Sequence, residues 1–273
     1  MFRSICRTIK WQTSGRSSKK PLIFEKNWPT VISLALIRPT NWRELMQRNL
    51  SYLALAGLVL LGGCCCLKNG PGSAAVSLFN GRDLSGWKFH LADATVPAEK
   101  VWQVQDGVLV CRGEPMGYLY SEQSFSDFIM SVEYRWAPGQ KPGNSGLFAR
   151  INGPHQALPR CYETQLKHGD AGDLYGFHGM VLKGDAARAK HVPKHDLAGE
   201  IHGLKKLAGN EKPAGAWNTV EVQVRGRAMR VKLNGRLVNE ATDLEILSGP
   251  VGLQSEGGEI HFRNVRLQPL SAP

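Results

Sequence analysis

Residues 229–238 read MRVKLNGRLV, and this stretch decides the fold class. Apolar and polar side chains alternate up to Asn234-Gly235, which is typical of a strand that buries one face. The Asn-Gly pair supplies the positive φ angles of a tight two-residue turn, so the stretch predicts a β-hairpin. Residues 102–111 repeat this arrangement around Asp106-Gly107 and predict a second hairpin.

The same period of two recurs from Val76 onward. Residues 128–136 and 217–224 each place apolar side chains on one face of a strand and mostly polar side chains on the other. Ten or more such strands between residues 76 and 270, without helices between them, predict a single all-β domain built as a two-sheet sandwich.

The last strand changes phase. Ile260 and Phe262 share one face, whereas Val265 and Leu267 take the opposite one. One extra residue in the strand restores a common face, so we expect a β-bulge near Arg263-Asn264.

Positive charge is concentrated at the start of the chain. The 273 residues carry a formal net charge of +11, but residues 1–45 hold nine basic and two acidic residues and account for +7 of it. From Cys64 onward, 24 basic residues stand against 21 acidic ones, which leaves +3. Nucleic-acid binders need a strongly basic surface, so this distribution excludes nucleic acid as a partner.

Residues 46–63 have the three-part layout of a secretory signal. A short positive start is followed by the apolar run 50–61, which is shorter than the ~20 residues that a membrane-spanning helix needs. The run ends in Leu-Gly-Gly-Cys, which resembles the lipobox of bacterial lipoproteins and implies lipidation of Cys64.

We therefore expect an exported lipoprotein, either periplasmic or anchored to the outer membrane, that meets the membrane only through its lipid. Residues 64–75 are small and polar and would be the tether. On this interpretation Met46 is the true start, and residues 1–45 are an upstream reading artefact or a dispensable leader. A signal-anchor helix is the alternative.

Two cysteines, Cys111 and Cys161, remain in the body of the chain. Export favours a disulfide, but the sequence leaves their pairing open. Neither belongs to a CxxC or Cys/His spacing that is typical of a zinc site.

A carboxylate and an amide share one face of the strand predicted at residues 161–166. Glu163 and Gln165 are two residues apart, so they lie about 7 Å from each other, a spacing suited to sugar hydroxyls. A solvated strand face is the alternative. On the preceding strand, the period of two puts Arg150 where strand pairing would bring it near Glu163. It would there form a cross-strand ion pair or hold an anionic intermediate.

The strand pattern stops between Lys167 and Gly215. This insertion holds five of the eight histidines, and its titratable residues are His168, His178, His191, His195 and His202 with Asp170, Asp173, Asp185 and Asp196. Structureless loops of this length are usually functional or disordered. The histidines therefore predict acid/base groups or metal ligands, and a solvated, partly flexible loop is the alternative.

Six blocks of sequence carry a resemblance to a known family. They are SLFNGRDLSGW at 77–87, GNSG at 143–146, YETQ at 162–165, KPAGAWN at 212–218, LNG at 233–235, and GPVGLQ at 249–254 with FRNVR at 262–266. In this order they resemble the 3-keto-disaccharide hydrolase family, also described as 3-keto-α-glucoside 1,2-lyase/3-keto-2-hydroxy-glucal hydratase.

The resemblance implies a concanavalin-like jelly-roll sandwich at residues 76–270. It also implies a substrate whose carbon 3 has been oxidised to a ketone by a separate sugar 3-oxidoreductase. The ketone acidifies the proton on carbon 2, so a base can remove that proton and form an enolate. The glycosidic oxygen then leaves carbon 1, and water hydrates the resulting 2-hydroxy-glucal.

The resemblance also assigns roles to individual residues. Glu163 would be the base, with His178 as an alternative base or acid, and Arg150 or a divalent metal cation would neutralise the enolate. The residues that would bind the sugar hydroxyls are Gln165, Tyr175, Asn218 and Gln254. Trp217 would offer an apolar ring face to the sugar, and Lys212 and Glu256 would line the rim of the site. The sequence does not decide whether the cation is required.

Two other functions stay open. Sandwiches of this kind serve carbohydrate-binding proteins as readily as enzymes, so a non-catalytic carbohydrate-binding protein displayed on the cell surface is the main alternative. A conventional glycoside hydrolase is the second alternative, and the lack of a Glu-x-Asp-x-x-Glu strand counts against it.

Overall fold

A computed structural model of the protein describes residues 74–271. Its strands are β1 Val76–Ser77, β2 Trp87–Leu91, β3 Trp102–Gln105, β4 Val108–Cys111, β5 Gly117–Ser121, β6 Phe128–Trp136, β7 Gly146–Asn152, β8 Arg160–Gln165, β9 Leu174–Gly176, β10 Ala189–His195, β11 Gly199–Leu204, β12 Asn218–Arg225, β13 Ala228–Leu233, β14 Arg236–Ala241, β15 Gly252–Ser255 and β16 Ile260–Pro269. The helical elements in this range are one α-helical turn, α1 Ala98–Val101, and a 3-10 turn at Ala186–Arg188.

The strands form two antiparallel sheets of eight strands each. Sheet A has the order β14-β13-β12-β6-β16-β4-β3, with β1 paired to β16. Sheet B has the order β10-β11-β9-β8-β7-β15-β5-β2. In each sheet, four of the seven neighbour pairs join strands that are not consecutive along the chain, as in a jelly roll, so the predicted all-β two-sheet sandwich is confirmed.

The local turn predictions are confirmed as well. Asp106 and Asn234 have φ angles of 49° and 50°, and the glycine after each is also positive, as a two-residue hairpin turn requires. The pairing of β16 with β6 shifts between Arg263 and Arg266, with Asn264 at φ 51°, so the predicted bulge is present.

The main core lies between the sheets. It combines alternate side chains of sheet A, such as Trp136 and Phe262, with those of sheet B, such as Leu147 and Tyr162. Burying each large apolar side chain contributes about 1.5–3 kcal/mol. A second apolar cluster, which includes Phe148, covers the other face of sheet B. The central strands of sheet B are therefore buried on both faces.

The expectation that strands stop between Lys167 and Gly215 is wrong, because β9, β10 and β11 lie there and extend sheet B. Two features hide them in the sequence. β9 is only three residues long, and nearly all side chains of β10 are exposed, so no apolar alternation marks either strand.

The two body cysteines do not pair. Cys111 lies in sheet A and Cys161 in sheet B, and neither forms a disulfide with any residue between 74 and 271. Burial raises the pKa of the Cys111 thiol to about 12, so it remains a neutral thiol at physiological pH.

The predictions for residues 1–45, the signal at 46–63 and Cys64 lie outside the described residues. None of the helices between residues 74 and 271 combines the length and the apolar character that crossing a membrane requires.

Arg150 is a structural residue at one end of the sandwich. Its backbone has a φ of 54° at a register shift between Ala149 and Asn152, which turns the side chain away from the face it would occupy in a regular strand. The fully buried guanidinium donates to Asp127 Oδ1 at 3.1 Å and to the carbonyls of Ser126, Gly226 and Glu245. The predicted proximity of Arg150 to Glu163 is therefore wrong.

Replacing Arg150 is expected to destabilise the fold. Arg150→Met would remove the positive partner of the buried Asp127 carboxylate and the side-chain donor to three carbonyls, at a cost of about 3–5 kcal/mol in the free energy of unfolding. Urea denaturation measures this loss. Arg230→Met is the control, because its exposed ion pair with Glu240 contributes at most about 1 kcal/mol. Equal losses in the two variants would contradict the assignment.

Candidate functional site

The outer face of sheet B, which points away from sheet A, carries the candidate site. Strand pairing places Tyr175, Glu163, Phe148 and Gly252 in one row across β9, β8, β7 and β15. The next row contains Gln165 opposite Gly146. Side chains from four strands are thereby brought together although the chain separates them widely.

Glu163 lies at the centre of this face. Its side chain is buried, with the residue only 2% exposed, and Oε1 has no hydrogen-bond partner among the described residues. Burial raises the pKa of the Glu163 carboxyl well above its usual range, and the negative charges of Glu256 and Asp173 raise it further. A carboxyl group in this environment holds its proton more tightly than an exposed one, and its ionised form is a stronger base.

Gly146 leaves the space that this carboxyl group occupies. A Cβ atom at position 146 would collide with the Glu163 carboxylate, so any other residue would displace it. The glycine in the GNSG block therefore has a steric reason that concerns the site and not the turn.

A set of unsatisfied oxygen atoms lies on the same side of the sheet. Gln254 donates from Nε2 to Glu256 Oε2 at 2.6 Å, while Gln254 Oε1 and Asn144 Oδ1 are buried without partners among residues 74–271. Burial raises the pKa of Glu256, and hydrogen bonds from Asn144 and Gln254 with the charges of Lys167 and His195 oppose that rise. These atoms can accept hydrogen bonds from sugar hydroxyls or coordinate a hard cation.

The ammonium group of Lys205 is held close to Tyr175, the strand neighbour of Glu163. Lys205 Nζ lies 2.6 Å from the buried carboxylate of Asp173, which also accepts a longer 3.4 Å contact from the Tyr175 hydroxyl. Burial and the Asp173 charge raise the pKa of Tyr175 to about 12, while the positive charge of Lys205 lowers it. Tyr175 is consequently a neutral hydroxyl that can donate a hydrogen bond.

Aromatic rings extend the same face toward β5 and β2. Tyr118 pairs with both Gln254 and His90 in the strand register, and its hydroxyl lies 2.7 Å from His155 Nδ1. The ring centroids of Tyr120 and His155 are 4.5 Å apart. His155 is exposed and Tyr120 half-buried, so this cluster offers accessible ring faces of the kind on which sugars stack.

Five of the residues predicted from the sequence share this face, namely Glu163, Gln165, Tyr175, Gln254 and Glu256. Gln165 has a further task, because its Oε1 accepts hydrogen bonds from the backbone N–H groups of Leu166 and Lys167 at the end of the strand. Its amide nitrogen is the group that can still act toward a ligand.

His178 lies beside the aromatic end of this face, because its side chain contacts Gln156, the neighbour of His155, and its backbone N–H donates to the carbonyl of Ala198. Its Nε2 lies 2.9 Å from the carbonyl oxygen of Leu158 and 2.9 Å from the side-chain nitrogen of Gln156. His195 lies near Glu256, because a protonated His195 ring would lower the pKa of that carboxyl group. His195 Nδ1 accepts from the backbone N–H groups of Leu197 and Ala198, so the neutral ring carries its proton on Nε2.

Lys212, Trp217 and Asn218 are not brought to this face. Arg135 and Arg263, on the outer face of sheet A, stack on Trp217 at 4.6 Å and 4.0 Å from its ring centroid. Lys212 donates from its side chain to the Trp217 carbonyl and from its backbone to Asn218 Oδ1. The KPAGAWN block therefore organises the start of β12 on the other sheet.

Sequence reasoning missed several residues of the site. Tyr118 and Tyr120 alternate in residues 117–121, so a strand pattern was available, but nothing local related it to Glu163. Lys205 was missed entirely, whereas Asp173 and His195 were named as titratable residues of the segment interpreted as an insertion, where no periodicity indicates which side chains face the sheet.

Comparisons with known proteins agree with this fold. A family model described as a 3-keto-alpha-glucoside-1,2-lyase-like domain matches residues 74–268. A crystal structure from Parabacteroides distasonis ATCC 8503, of a protein proposed to be a glycosyl hydrolase, is similar with a TM-score of 0.52 and 21% identity, covering 72% of this chain and 94% of that one.

A second proposed glycosyl hydrolase from the same organism has a TM-score of 0.51 and 19% identity, covering 72% of this chain and 100% of its own. Identities this low show a common fold and nothing finer. No curated protein matches the chain.

The raised pKa of Glu163 predicts a pH-dependent stability. The folded protein keeps a proton that the unfolded chain loses near pH 4.5, so this group lowers the free energy of unfolding as pH rises above that value. The free energy of unfolding falls by at most about 1.4 kcal/mol per pH unit because of this group. Glu163→Gln should therefore match the wild type near pH 4 and exceed its stability at pH 8, as measured by urea denaturation.

The control for this measurement is Glu221→Gln. Glu221 lies on sheet A, with its Oε1 2.9 Å from Lys232 Nζ. Its replacement by glutamine makes the same change of charge as Glu163→Gln but does not involve a buried carboxyl group. Parallel pH profiles of Glu163→Gln and the wild type would contradict the assignment of a raised pKa.

Proposed function

Because the chain belongs to the 3-keto-alpha-glucoside-1,2-lyase-like family, we propose that it cleaves 3-keto-glycosides by 1,2-elimination and then hydrates the product. Family membership supports a carbohydrate-active function in general. The observation that carries the finer proposal is the buried, unpartnered carboxyl of Glu163 on a face that also bears hydroxyl-binding groups and aromatic rings.

The elimination requires one strong base. Glu163 takes the proton from carbon 2, whose acidity the neighbouring ketone has raised, and the electron pair forms an enolate. When the enolate collapses, the bond between carbon 1 and the glycosidic oxygen breaks and the departing alcohol takes up a proton. Water then adds across the new double bond, so the net change is hydrolysis of a 3-keto-disaccharide.

Other groups on the face would supply the remaining functions. The neutral hydroxyl of Tyr175, which neighbours Glu163 in the strand register, and Lys205, which lies against Asp173 and near Tyr175, can stabilise the negative charge of the enolate in place of Arg150. His195 presents an Nε2–H group that can donate a hydrogen bond to the leaving oxygen, and the proton that this oxygen takes up comes from water. The tyrosine and histidine rings around Tyr118 would receive the sugar.

A divalent cation is compatible with the same face. Glu163, Glu256, Asn144 and Gln254 offer oxygen atoms, three of which have no partner between residues 74 and 271, and oxygen is the ligand that Mg²⁺ and Ca²⁺ prefer. A cation held there would supply additional stabilisation of negative charge on the substrate oxygens.

We place the enzyme outside the cytoplasm as a lipid-anchored protein that receives its substrate from a sugar 3-oxidoreductase. This placement rests on the sequence of residues 46–64. Mass spectrometry of the native N-terminus tests it, since a lipidated Cys64 is expected and a peptide from residues 1–45 would contradict it.

The principal alternative is a carbohydrate-binding protein without catalytic activity. The aromatic rings at Tyr120 and His155 suit that role equally well. A binding protein can use a buried carboxyl group to accept hydrogen bonds from sugar hydroxyls, but it has no use for the raised pKa of Glu163, which makes the ionised carboxylate a stronger base. Glu163 therefore favours the enzyme.

The substrate test compares a 3-keto-disaccharide with its unoxidised parent. We expect the wild-type protein to cleave only the ketone, because only its carbon 2 proton is acidic. Cleavage of both sugars would indicate a conventional glycoside hydrolase, and binding without turnover would indicate the carbohydrate-binding alternative. Mass spectrometry of the products separates these outcomes.

The catalytic role of Glu163 is tested with a matched pair of variants. Glu163→Gln is expected to lower kcat/KM on the 3-keto-disaccharide by about 10²–10⁴, whereas Glu221→Gln on the other sheet should leave it unchanged. The base must be ionised, so wild-type kcat/KM should rise with pH through the raised pKa of Glu163. Full activity of Glu163→Gln would remove this residue from the mechanism.

A further inference from the structure

A second group of titratable side chains lies away from the candidate site. His191, Glu200 and His202 each present one ligand atom, and these three atoms lie within 4.8 Å of one another. His191 Nε2 is 2.8 Å from Glu200 Oε1, and His202 Nε2 is 3.4 Å from the same oxygen. The two imidazole rings stack with their centroids 5.0 Å apart.

The sheet holds these side chains in place. His191 and His202 are directly paired across β10 and β11, and Glu200 lies two residues before His202 on the same face. That face is not the one that carries Glu163. Gly203 pairs with Tyr175 in the Glu163 row, so its neighbour His202 points to the opposite side of sheet B.

We propose that His191, Glu200 and His202 form a site for a divalent transition metal such as Zn²⁺. Two imidazole nitrogens and one carboxylate oxygen are a known three-ligand set for zinc, in which a water molecule completes the tetrahedron. With metal–ligand bonds of about 2.1 Å, tetrahedral ligand atoms lie roughly 3.4 Å apart. The separation of 3.4 Å between His202 Nε2 and the Glu200 oxygen equals that value, and the 2.8 Å separation from His191 Nε2 is shorter, so small side-chain rotations suffice.

The surroundings of the site admit an ion. All three side chains reach solvent, and both histidines line a surface cleft of about 360 Å³. Lys183 lines the same cleft, but its ammonium group is paired with Asp243 at 3.0 Å. The nitrogen-rich ligand set favours Zn²⁺, Ni²⁺ or Cu²⁺ over Mg²⁺ or Ca²⁺.

A metal bound here would clamp the β10–β11 hairpin, because its ligands come from both strands. The turn of this hairpin carries His195, which lies near Glu256 in the candidate site. Metal binding would therefore fix the hairpin that presents His195 to the other face of the sheet.

The proposal is tested by zinc titration of the full-length protein, which is first dialysed against a chelator to remove bound metal. By calorimetry, we expect His191→Ala and His202→Ala to lose one equivalent of Zn²⁺ relative to the wild type, or to bind it at least about tenfold more weakly. Any zinc bound by the cysteines at 64–66 is common to all variants and cancels in this difference. With Co²⁺, the visible absorption of a nitrogen-ligated ion should be lost in the same variants.

His168→Ala is the matched control. His168 also lies close to a carboxylate, Glu211 at 3.3 Å, but this pair has no second histidine, so its zinc uptake should equal that of the wild type. If circular dichroism shows that a histidine variant does not fold, Glu200→Gln is used in its place, because this substitution preserves the shape of the side chain. Equal stoichiometry and affinity in the wild type and the site variants, or an equal loss in His168→Ala, would overturn the proposal.

Discussion

The pairing of β7 with β8 is the constraint on which the rest of this structure depends. Both strands are buried on both faces, between the inter-sheet core and the outer cluster that includes Phe148. Their register sets Glu163 beside Phe148 and leaves room for its carboxyl group over Gly146. One residue beyond Ala149 the register breaks, and Arg150 turns to hold the loops at the end of the sandwich. The β7–β8 pairing thereby directs the Arg150 guanidinium, which supports the fold, to the loops, and the Glu163 carboxyl group, which is available for chemistry, to the outer face of sheet B.

The outer face of sheet B lowers the stability of the fold. It buries Glu163, Asp173 and Gln254, and oxygen atoms of Glu163 and Gln254 have no partner among the described residues. Such groups lower stability unless something else satisfies them, and in many proteins that something is a ligand. A sandwich with a large apolar core can tolerate this loss, since its stability comes mainly from the interface between the sheets. A stabilising core between the sheets and a polar outer face on sheet B agree with the proposed action on an uncharged, hydroxyl-rich substrate.

The strands added at the edge of sheet B connect its two faces. β9 contributes Tyr175 to the candidate site, while the β10–β11 hairpin carries His195 at its turn and the cluster of His191, Glu200 and His202 on the opposite face. Residues that the sequence groups into one histidine-rich segment are thus divided by the sheet. The proposed metal site and the proposed catalytic site share a hairpin but no side chain.

The sequence by itself determined the all-β class, both tight hairpins and the bulge near Arg263, because these depend on the alternation and turn chemistry of neighbouring residues. It also indicated Glu163, Gln165, Tyr175, Gln254 and Glu256. Only the tertiary structure decided that Trp217 belongs to the other sheet, that Arg150 is structural, and that Asp173, Lys205 and His195 join the site. These facts follow from the order of strands, which pairs residues distant along the chain, and from a positive φ angle at Arg150 that no local pattern announces.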